Sequence, residues 1–427
     1  MPESRVVEIP IGDRRFSVPI PNLIGVAEPE HTPGVPDKRE EIIRALEAPI
    51  GSPKLEELAR GKHSAAIVIN DITRPYPGGL MVEELARRLN AAGIPDERIS
   101  LIVAYGMHRP NTMEELGEKY GAGLLRRFPI VHHNASDPEK NLLLGYTEGG
   151  VEVCINRSFA QAEVRIVTGC IAPHQFAGFS GGRKSVLPGI ASLETIRRHH
   201  SFPIRPEAIS LGLLEGNRFH KESLAAARIA KVDFILNAVE NTGRELVRCV
   251  AGDLEEAWLA GVEISRKIWT VAIPERPDIV VVSPGGYPRD FDLHQSQKAL
   301  GCAEMVCPDG GGVILCARCM DGAGKPGKLL REAKAPQELI DRFLRNGLEP
   351  SGTGKAYMLA RSVTKFHVVL AGSAIPGGAL REMFLDGYGT VEQALAHMLE
   401  RYGQDARVLV IPNASEIIPV VEQKKGG

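Results

Sequence analysis

The stretch Ala65-Ala66-Ile67-Val68-Ile69-Asn70-Asp71-Ile72-Thr73-Arg74-Pro75 decides the fold class. Five apolar residues run straight into an Asn-Asp pair and a proline, the pattern of a strand buried on both faces that ends in a polar loop. An amphipathic segment follows from Leu80 to Asn90, with apolar residues at three- and four-residue intervals. Strand, polar loop and helix in that order predict one unit of a parallel α/β sheet. Further β-branched runs lie at Ile99 to Ala104, Val164 to Thr168, Ile279 to Val282, Val313 to Leu315, Val368 to Leu370 and Val408 to Ile411. The expected fold is therefore α/β, with two domains, each a mostly parallel sheet flanked by helices, and an active site in the cleft between them.

Before the first strand, Val6 to Ile20 alternates apolar and polar residues around Gly12-Asp13, the pattern of a β-hairpin, and reads as a small appendage. A helix is expected over Leu254 to Trp269 with Asp253 as its N-cap. The strand pattern restarts after Pro274-Glu275-Arg276-Pro277. This places a cofactor-binding and catalytic domain at 1–269 and a closing α/β domain at 270–427, with the last strand free to return to the first domain. No internal repeat is visible, and the tail from Gln423 is expected to fray.

The chain has 427 residues, 43% of them apolar and 24% charged, with a formal charge of -2. That is enough apolar material for two cores and no basic excess for nucleic acid or a polybasic membrane contact. No apolar stretch approaches the ~18 residues of a membrane span, and the N-terminus lacks an apolar h-region. These features predict a cytoplasmic protein with small-molecule partners. Seven cysteines suit reduced thiols better than a disulfide framework. Cys302, Cys307, Cys316 and Cys319 include a C-x-x-C pair, but their wider spacing is irregular, and small buried residues are the expectation over a metal site.

Ligands of open parallel sheets bind beyond the carboxyl ends of the strands. The unusual residues of this chain collect there. Asp71, Thr73 and Arg74 follow the first strand, His108 follows the second within Gly106-Met107-His108-Arg109-Pro110, and His174 follows the third. The densest segment is Pro173 to Gly189, with glycines at 178, 181, 182 and 189, hydroxyls at Ser180 and Ser185, and the amine of Lys184. It has the ingredients of a phosphate loop but fails the spacing G-x-x-x-x-G-K-[ST], which disfavours an ordinary NTPase. His199 and His200 follow on a helical stretch; adjacent helical residues point about 100° apart, so they cannot both face one metal, which leaves one as a candidate imidazole ligand and the other to support it or face solvent. After Val282, Asp290 or Asp292 is placed to open a helix on which Gln295 and Lys298 share a face, either solvated or closing over the site.

With these segments in hand, the sequence resembles the nickel-dependent lactate racemase family. The match runs from Asp71-Ile72-Thr73-Arg74-Pro75 through His108 and the Pro173-to-Gly189 block to Gln295 and Lys298. The resemblance implies a pyridinium mononucleotide that holds Ni(II) as a sulfur-carbon-sulfur pincer and is joined to Lys184 as a thioamide. Asp71, Thr73, Ser180, Gly181 and Gly182 would belong to its binding site. His200, or alternatively His199, would complete the nickel coordination, a reasonable donor set for that ion. His108 and His174 would be the acid-base pair, while Arg74, Gln295, Lys298 and His294 would face substrate.

The implied reaction is racemisation or epimerisation of a 2-hydroxycarboxylic acid: a histidine takes the hydroxyl proton as hydride leaves Cα, and the planar keto acid accepts hydride on either face. Cofactor-building and nickel-insertion proteins would be needed for maturation. Lactate-specific members tend to carry Tyr where this chain has His294, a departure that leaves the identity of the 2-hydroxyacid open without touching the reaction type. Three alternatives remain at this level: a zinc hydrolase using the histidines, a pyridoxal-phosphate enzyme with Lys184 as Schiff base, and a non-catalytic nickel- or nucleotide-binding protein.

Overall fold

All seven strand runs expected from β-branched clusters are strands in a computed structural model, which describes residues 4–73, 76–202, 211–349, 353–415 and 417–422. The chain folds as two units. One gathers His31–Phe202 and Gly212–Ile268; the other is made mainly of Met1–Glu30 and Trp269–Gly427.

In the first unit, six strands lie in the order Leu246–Gly252, Phe234–Glu240, Val164–Cys170, Ala65–Asn70, Ile99–Ala104, Ile130–His132. All neighbours are parallel except Leu246–Gly252, which returns antiparallel to Phe234–Glu240. Ala66 through Ile69 are fully shielded from solvent, as expected for a strand covered by helices on both faces. Each such branched side chain contributes about 1.5–3 kcal/mol of burial. From Ala65–Asn70 the chain moves to one side of the sheet and later returns on the other through Val164–Cys170. The sheet order therefore reverses at Ala65–Asn70, and a crevice at the carboxyl ends of such neighbours is the standard ligand position of open α/β sheets.

The second unit carries an all-parallel sheet in the order Asp386–Tyr388, His367–Ala371, Gly312–Cys316, Ile279–Val282, Val408–Ile411, Leu23–Val26. Two expectations are corrected here. Val408–Ile411 does not return to the first domain; it lies inside this sheet between Ile279–Val282 and Leu23–Val26. The opening hairpin, Arg5–Ile11 paired with Arg14–Ile20 across Gly12-Asp13, is not an appendage of a 1–269 domain. Its Val7, Ile9, Val18 and Ile20 share a core with Ile279, Val281 and Ile314. Buried Asp290 accepts a hydrogen bond from Gly12 N at 2.6 Å, which ties the hairpin turn to the same unit. Alternation predicts a hairpin but carries no information about which sheet it covers. Among the described residues no helix is long and apolar enough to cross a membrane.

Candidate active site

The loop after Ala65–Asn70 is built around a buried carboxylate. Asp71 Oδ1 accepts from Thr73 N at 3.1 Å and from its hydroxyl at 2.6 Å. The backbone carbonyl of Asp71 accepts from Lys119 Nζ. Beneath it, the buried hydroxyls of Tyr76 and Tyr120 bond each other at 2.9 Å, and Tyr120 donates to Asn70 O at 2.6 Å. Burial raises the pKa of both phenols, so they act as neutral struts.

Held in this way, Asp71 Oδ2 meets His108 Nδ1 at 2.6 Å. A carboxylate can only accept, so Nδ1 carries the proton and Nε2 is the basic nitrogen of an exposed imidazole. Arg74 lies outside the described residues. The His108 loop is tied to the glycine-lysine block, because Gly106 N donates to Gly189 O at 2.9 Å.

His174 has the opposite polarity. It ends a two-residue strand, Pro173–His174, paired with Gly178–Phe179, and its Nδ1 accepts from Phe176 N at 3.1 Å and Ala177 N at 3.2 Å. The neutral ring therefore carries its proton on Nε2. The turn is anchored twice, by Asn217 Nδ2 donating to Phe176 O at 3.0 Å and by Arg183 donating to Ala177 O at 2.8 Å.

Beside Lys184 in the chain stands Arg183. It is fully buried, 3.7 Å from the centroid of the Trp258 ring, and bonded to His220 Nδ1 at 3.1 Å. Burial pulls its pKa well below the ordinary guanidinium value, and burial followed by the Arg183 charge lowers His220 to about 3. The glycines around it serve the protein's own packing. A Cβ on Gly182 would lie 2.8 Å from the Trp258 ring, and one on Gly181, at φ +76°, would strike Asn237 Oδ1. Ser180 is likewise committed to backbone, donating to Cys170 O at 2.7 Å and accepting from Ala172 N at 2.9 Å. What this block presents is Lys184, half-buried on the short turn Gly182–Ser185 with its Nζ 6.0 Å from the Phe219 ring centroid.

The same ring meets His200, 4.9 Å away between centroids. Ser192 caps the helix Leu193–His200, and the two histidines diverge as helical geometry requires. His199 is fully buried, its Nε2 3.0 Å from both Phe219 O and Ser223 Oγ, and burial holds its pKa far below the ordinary value. His200 donates from Nδ1 to Ile196 O at 3.0 Å, which makes Nε2 the ring's acceptor.

In the second unit, Asp292 rather than Asp290 caps the helix, accepting from Gln295 N at 2.6 Å. Asp290 is instead a buried acceptor for Gly12 and Arg318. The expected single helix is two: Leu293–Ser296 carries His294 and Gln295, and Lys298–Ala303 begins after a break at Gln297. Burial, then the charges of Lys355, Lys298 and Lys325, push His294 down to about 4, so it is neutral at pH 7. Cys302, Cys307, Cys316 and Cys319 are buried free thiols whose pKa values burial raises, Cys307 to about 12 and Cys319 to about 11. Among the described residues no three His, Cys, Asp or Glu side chains are grouped to hold a metal ion, whereas a catalytic zinc needs three protein ligands.

Comparison with known proteins decides between the remaining readings. Two family models match the chain, the lactate racemase N-terminal domain over residues 11–210 and the lactate racemase C-terminal domain over residues 273–419. The chain belongs to the lactate racemase family. Within that family it is 37% identical over 387 residues to lactate racemase from Lactiplantibacillus plantarum, covering 89% of this chain and 91% of that one. It is 33% identical over 425 residues to lactate racemase from Thermoanaerobacterium thermosaccharolyticum, covering 96% and 98%. The structure of the apoprotein of lactate racemase from that organism matches with a TM-score of 0.89 at 32% identity, over 98% of this chain and 100% of that one. A Thermotoga maritima protein shares the fold at a TM-score of 0.64 and 21% identity, over 92% of this chain and 100% of its own. Sequence patterns missed the supporting residues Lys119, Arg183, Phe219 and Trp258. Only their burial and contacts reveal them.

Proposed function

We propose that the protein racemises or epimerises a 2-hydroxycarboxylic acid, with a nickel-pincer nucleotide joined to Lys184 and Ni(II) bound by His200. The observation that carries this reading is the Asp71–His108 pair at the carboxyl edge of the same sheet as Lys184 and His174, in a lactate racemase family chain. The residues fit the group. A pincer that brings its own sulfur and carbon donors asks the protein for one nitrogen ligand and one amine. His200, with Nε2 as acceptor, and Lys184 approach the same face-lining ring, Phe219. His199 is the weaker choice because its Nε2 is engaged and buried.

When bound, the cofactor supplies an electron-poor carbon that takes and returns hydride. The chain's own residues manage the proton and the substrate. His108 Nε2 takes the hydroxyl proton of one enantiomer, and Asp71 stabilises the imidazolium that forms. His174 hydrogen-bonds the oxygen from the other side through Nε2–H, and to give that proton up the ring must first be protonated at Nδ1, which opens its two bonds from the turn. To serve the opposite enantiomer as base, it must move its proton to Nδ1 and open its two bonds from the turn. Arg74 clamps the carboxylate with its planar fork, and Gln295 and Lys298 hold the remaining oxygens. Thr73 steadies Asp71, and Ser180, Gly181 and Gly182 shape the turn that carries Lys184. Maturation requires proteins that build the nucleotide and insert nickel, and the site of action is the cytoplasm.

The test is chiral analysis of a panel of 2-hydroxyacids incubated with protein produced alongside the cofactor pathway. Conversion of at least one acid toward an equilibrium mixture supports the reading; retention of configuration across the panel by nickel-loaded protein defeats it. Asp71→Asn is expected to lower kcat by about 10²–10⁴-fold with cofactor content unchanged, because an amide can favour the wrong His108 tautomer. Steady-state rates normalised to nickel content check this. His294→Tyr is expected to shift preference toward lactate, measured as the ratio of kcat/KM for lactate to that for the best acid of the panel.

A further inference from the structure

Asn217 does more than cap a helix. It is buried and opens the helix Arg218–Ile229, its Oδ1 accepting from His220 N at 3.2 Å. Serine or aspartate would serve that end as well, because the three side chains cap helices about equally. What the amide adds is a pair of donor hydrogens. Asn217 Nδ2 reaches two carbonyls, Phe176 O at 3.0 Å and Leu213 O at 2.9 Å. The orientation of the amide is settled by its partners, since its oxygen faces an N–H and its nitrogen faces two carbonyl oxygens.

Those carbonyls belong to segments that lie against each other. Gly212 N donates to Gly178 O at 3.1 Å, and a Cβ on Gly178, at φ +72°, would lie 2.4 Å from Leu213 O. Carbonyl oxygens brought to one place can only accept, so donors must stand between them, and the two hydrogens of Nδ2 do so. The amide thereby clasps the turn after His174 to the loop before its own helix.

Phe176 O and Ala177 N are the two ends of one planar peptide group. Ala177 N–H donates to His174 Nδ1 at 3.2 Å, beside Phe176 N–H at 3.1 Å. A hydrogen bond accepted at the peptide oxygen strengthens the donor at its nitrogen. The chain from Asn217 Nδ2–H to Phe176 O, and from Ala177 N–H to His174 Nδ1, is therefore polarised in one sense from end to end. Arg183 acts differently. Its acceptor, Ala177 O, belongs to the next peptide group, so it fixes the place of the turn without adding to that chain.

We propose that Asn217 is a positioning residue for His174, holding the neutral imidazole in its Nε2–H tautomer through the Phe176–Ala177 peptide. The catalytic meaning of this rests on the racemase reading, in which His108 offers a bare Nε2 and His174 a protonated one. While His108 is neutral, a His174 ring that samples the Nδ1–H tautomer leaves two basic nitrogens and no donor, so that fraction of the enzyme is unproductive.

The test is nitrogen NMR of the full-length protein, isotopically labelled in its histidines, at a pH where imidazoles are neutral. The His174 signals are assigned by their loss in His174→Ala. The wild type is expected to show Nδ1 at the unprotonated limit and Nε2 at the protonated one. Asn217→Ser and Asn217→Asp both keep the cap and lose the donors, and melting temperatures check that they fold. In either variant Nδ1 is expected to move toward the tautomer average of a free histidine. In the nickel-loaded enzyme, kcat/KM is expected to fall about two- to tenfold for both enantiomers, the worth of one neutral hydrogen bond. A wild-type ring protonated at Nδ1 overturns the proposal without any substitution, and an Nδ1 signal unmoved in a folded variant overturns it as well. If no acid of the panel is racemised, the spectra still decide: a tautomer shift keeps the role of Asn217 and discards only the racemase reading.

Discussion

His108→Ala is expected to lower turnover by at least about 10²-fold with either enantiomer while nickel content and absorbance stay at the parent level. The size follows from the arrangement around Asp71. The carboxylate fixes Nδ1–H and so makes Nε2 the one basic position of that ring. In one direction this nitrogen removes the hydroxyl proton; in the other it returns a proton to the carbonyl oxygen. Neither direction escapes the loss, because microscopic reversibility sends both through the same group. His174→Ala is expected to fall as far, since the second enantiomer reverses the two roles. His108 and His174 are not ligands in the proposed nickel set, so metal retention separates a lost proton-transfer group from a lost cofactor. Turnover near the wild-type rate in either variant, with nickel intact, would remove that histidine from the reaction.

Lys184→Arg is expected to yield folded protein with no covalently held nucleotide and with racemisation reduced to background. Arginine keeps the positive charge and can bond a phosphate at least as well as lysine. If Lys184 served only as a counter-ion, much of the activity would survive. A thioamide link needs a primary amine, which the guanidinium does not offer. Folding should be spared, because the Lys184 side chain is half-buried and the turn is held by Arg183, Trp258 and Asn237 rather than by it. Circular dichroism and melting temperature check the fold, and nickel analysis after gel filtration checks retention.

The sheets were legible because Ala65 to Ile69 and its counterparts are uninterrupted β-branched runs, and a strand covered on both faces needs little else. Phe234–Glu240 escaped notice because Asn237 breaks its apolar run. That residue is kept for a buried bond, accepting from Gly182 N at 2.7 Å. The hairpin was legible as a hairpin, but its place in the second unit depends on the Asp290–Gly12 bond across 278 residues of chain.

At the site, residue types and loop positions singled out Asp71, His108, His174 and Lys184 as candidates. The orientation of each imidazole did not follow from spacing, since it is set by partners such as the amides of Phe176 and Ala177. The 100° rule separated His199 from His200, and only the burial of His199 and its bonds to Phe219 O and Ser223 Oγ showed which one is committed to the core.

The most direct test of the central claim is the intact mass of an active preparation, followed by peptide mapping. Protein made together with the cofactor pathway should be heavier than the bare chain by one modified nucleotide, with the added mass on the peptide containing Lys184. Full racemase activity from protein of unmodified mass would contradict the account.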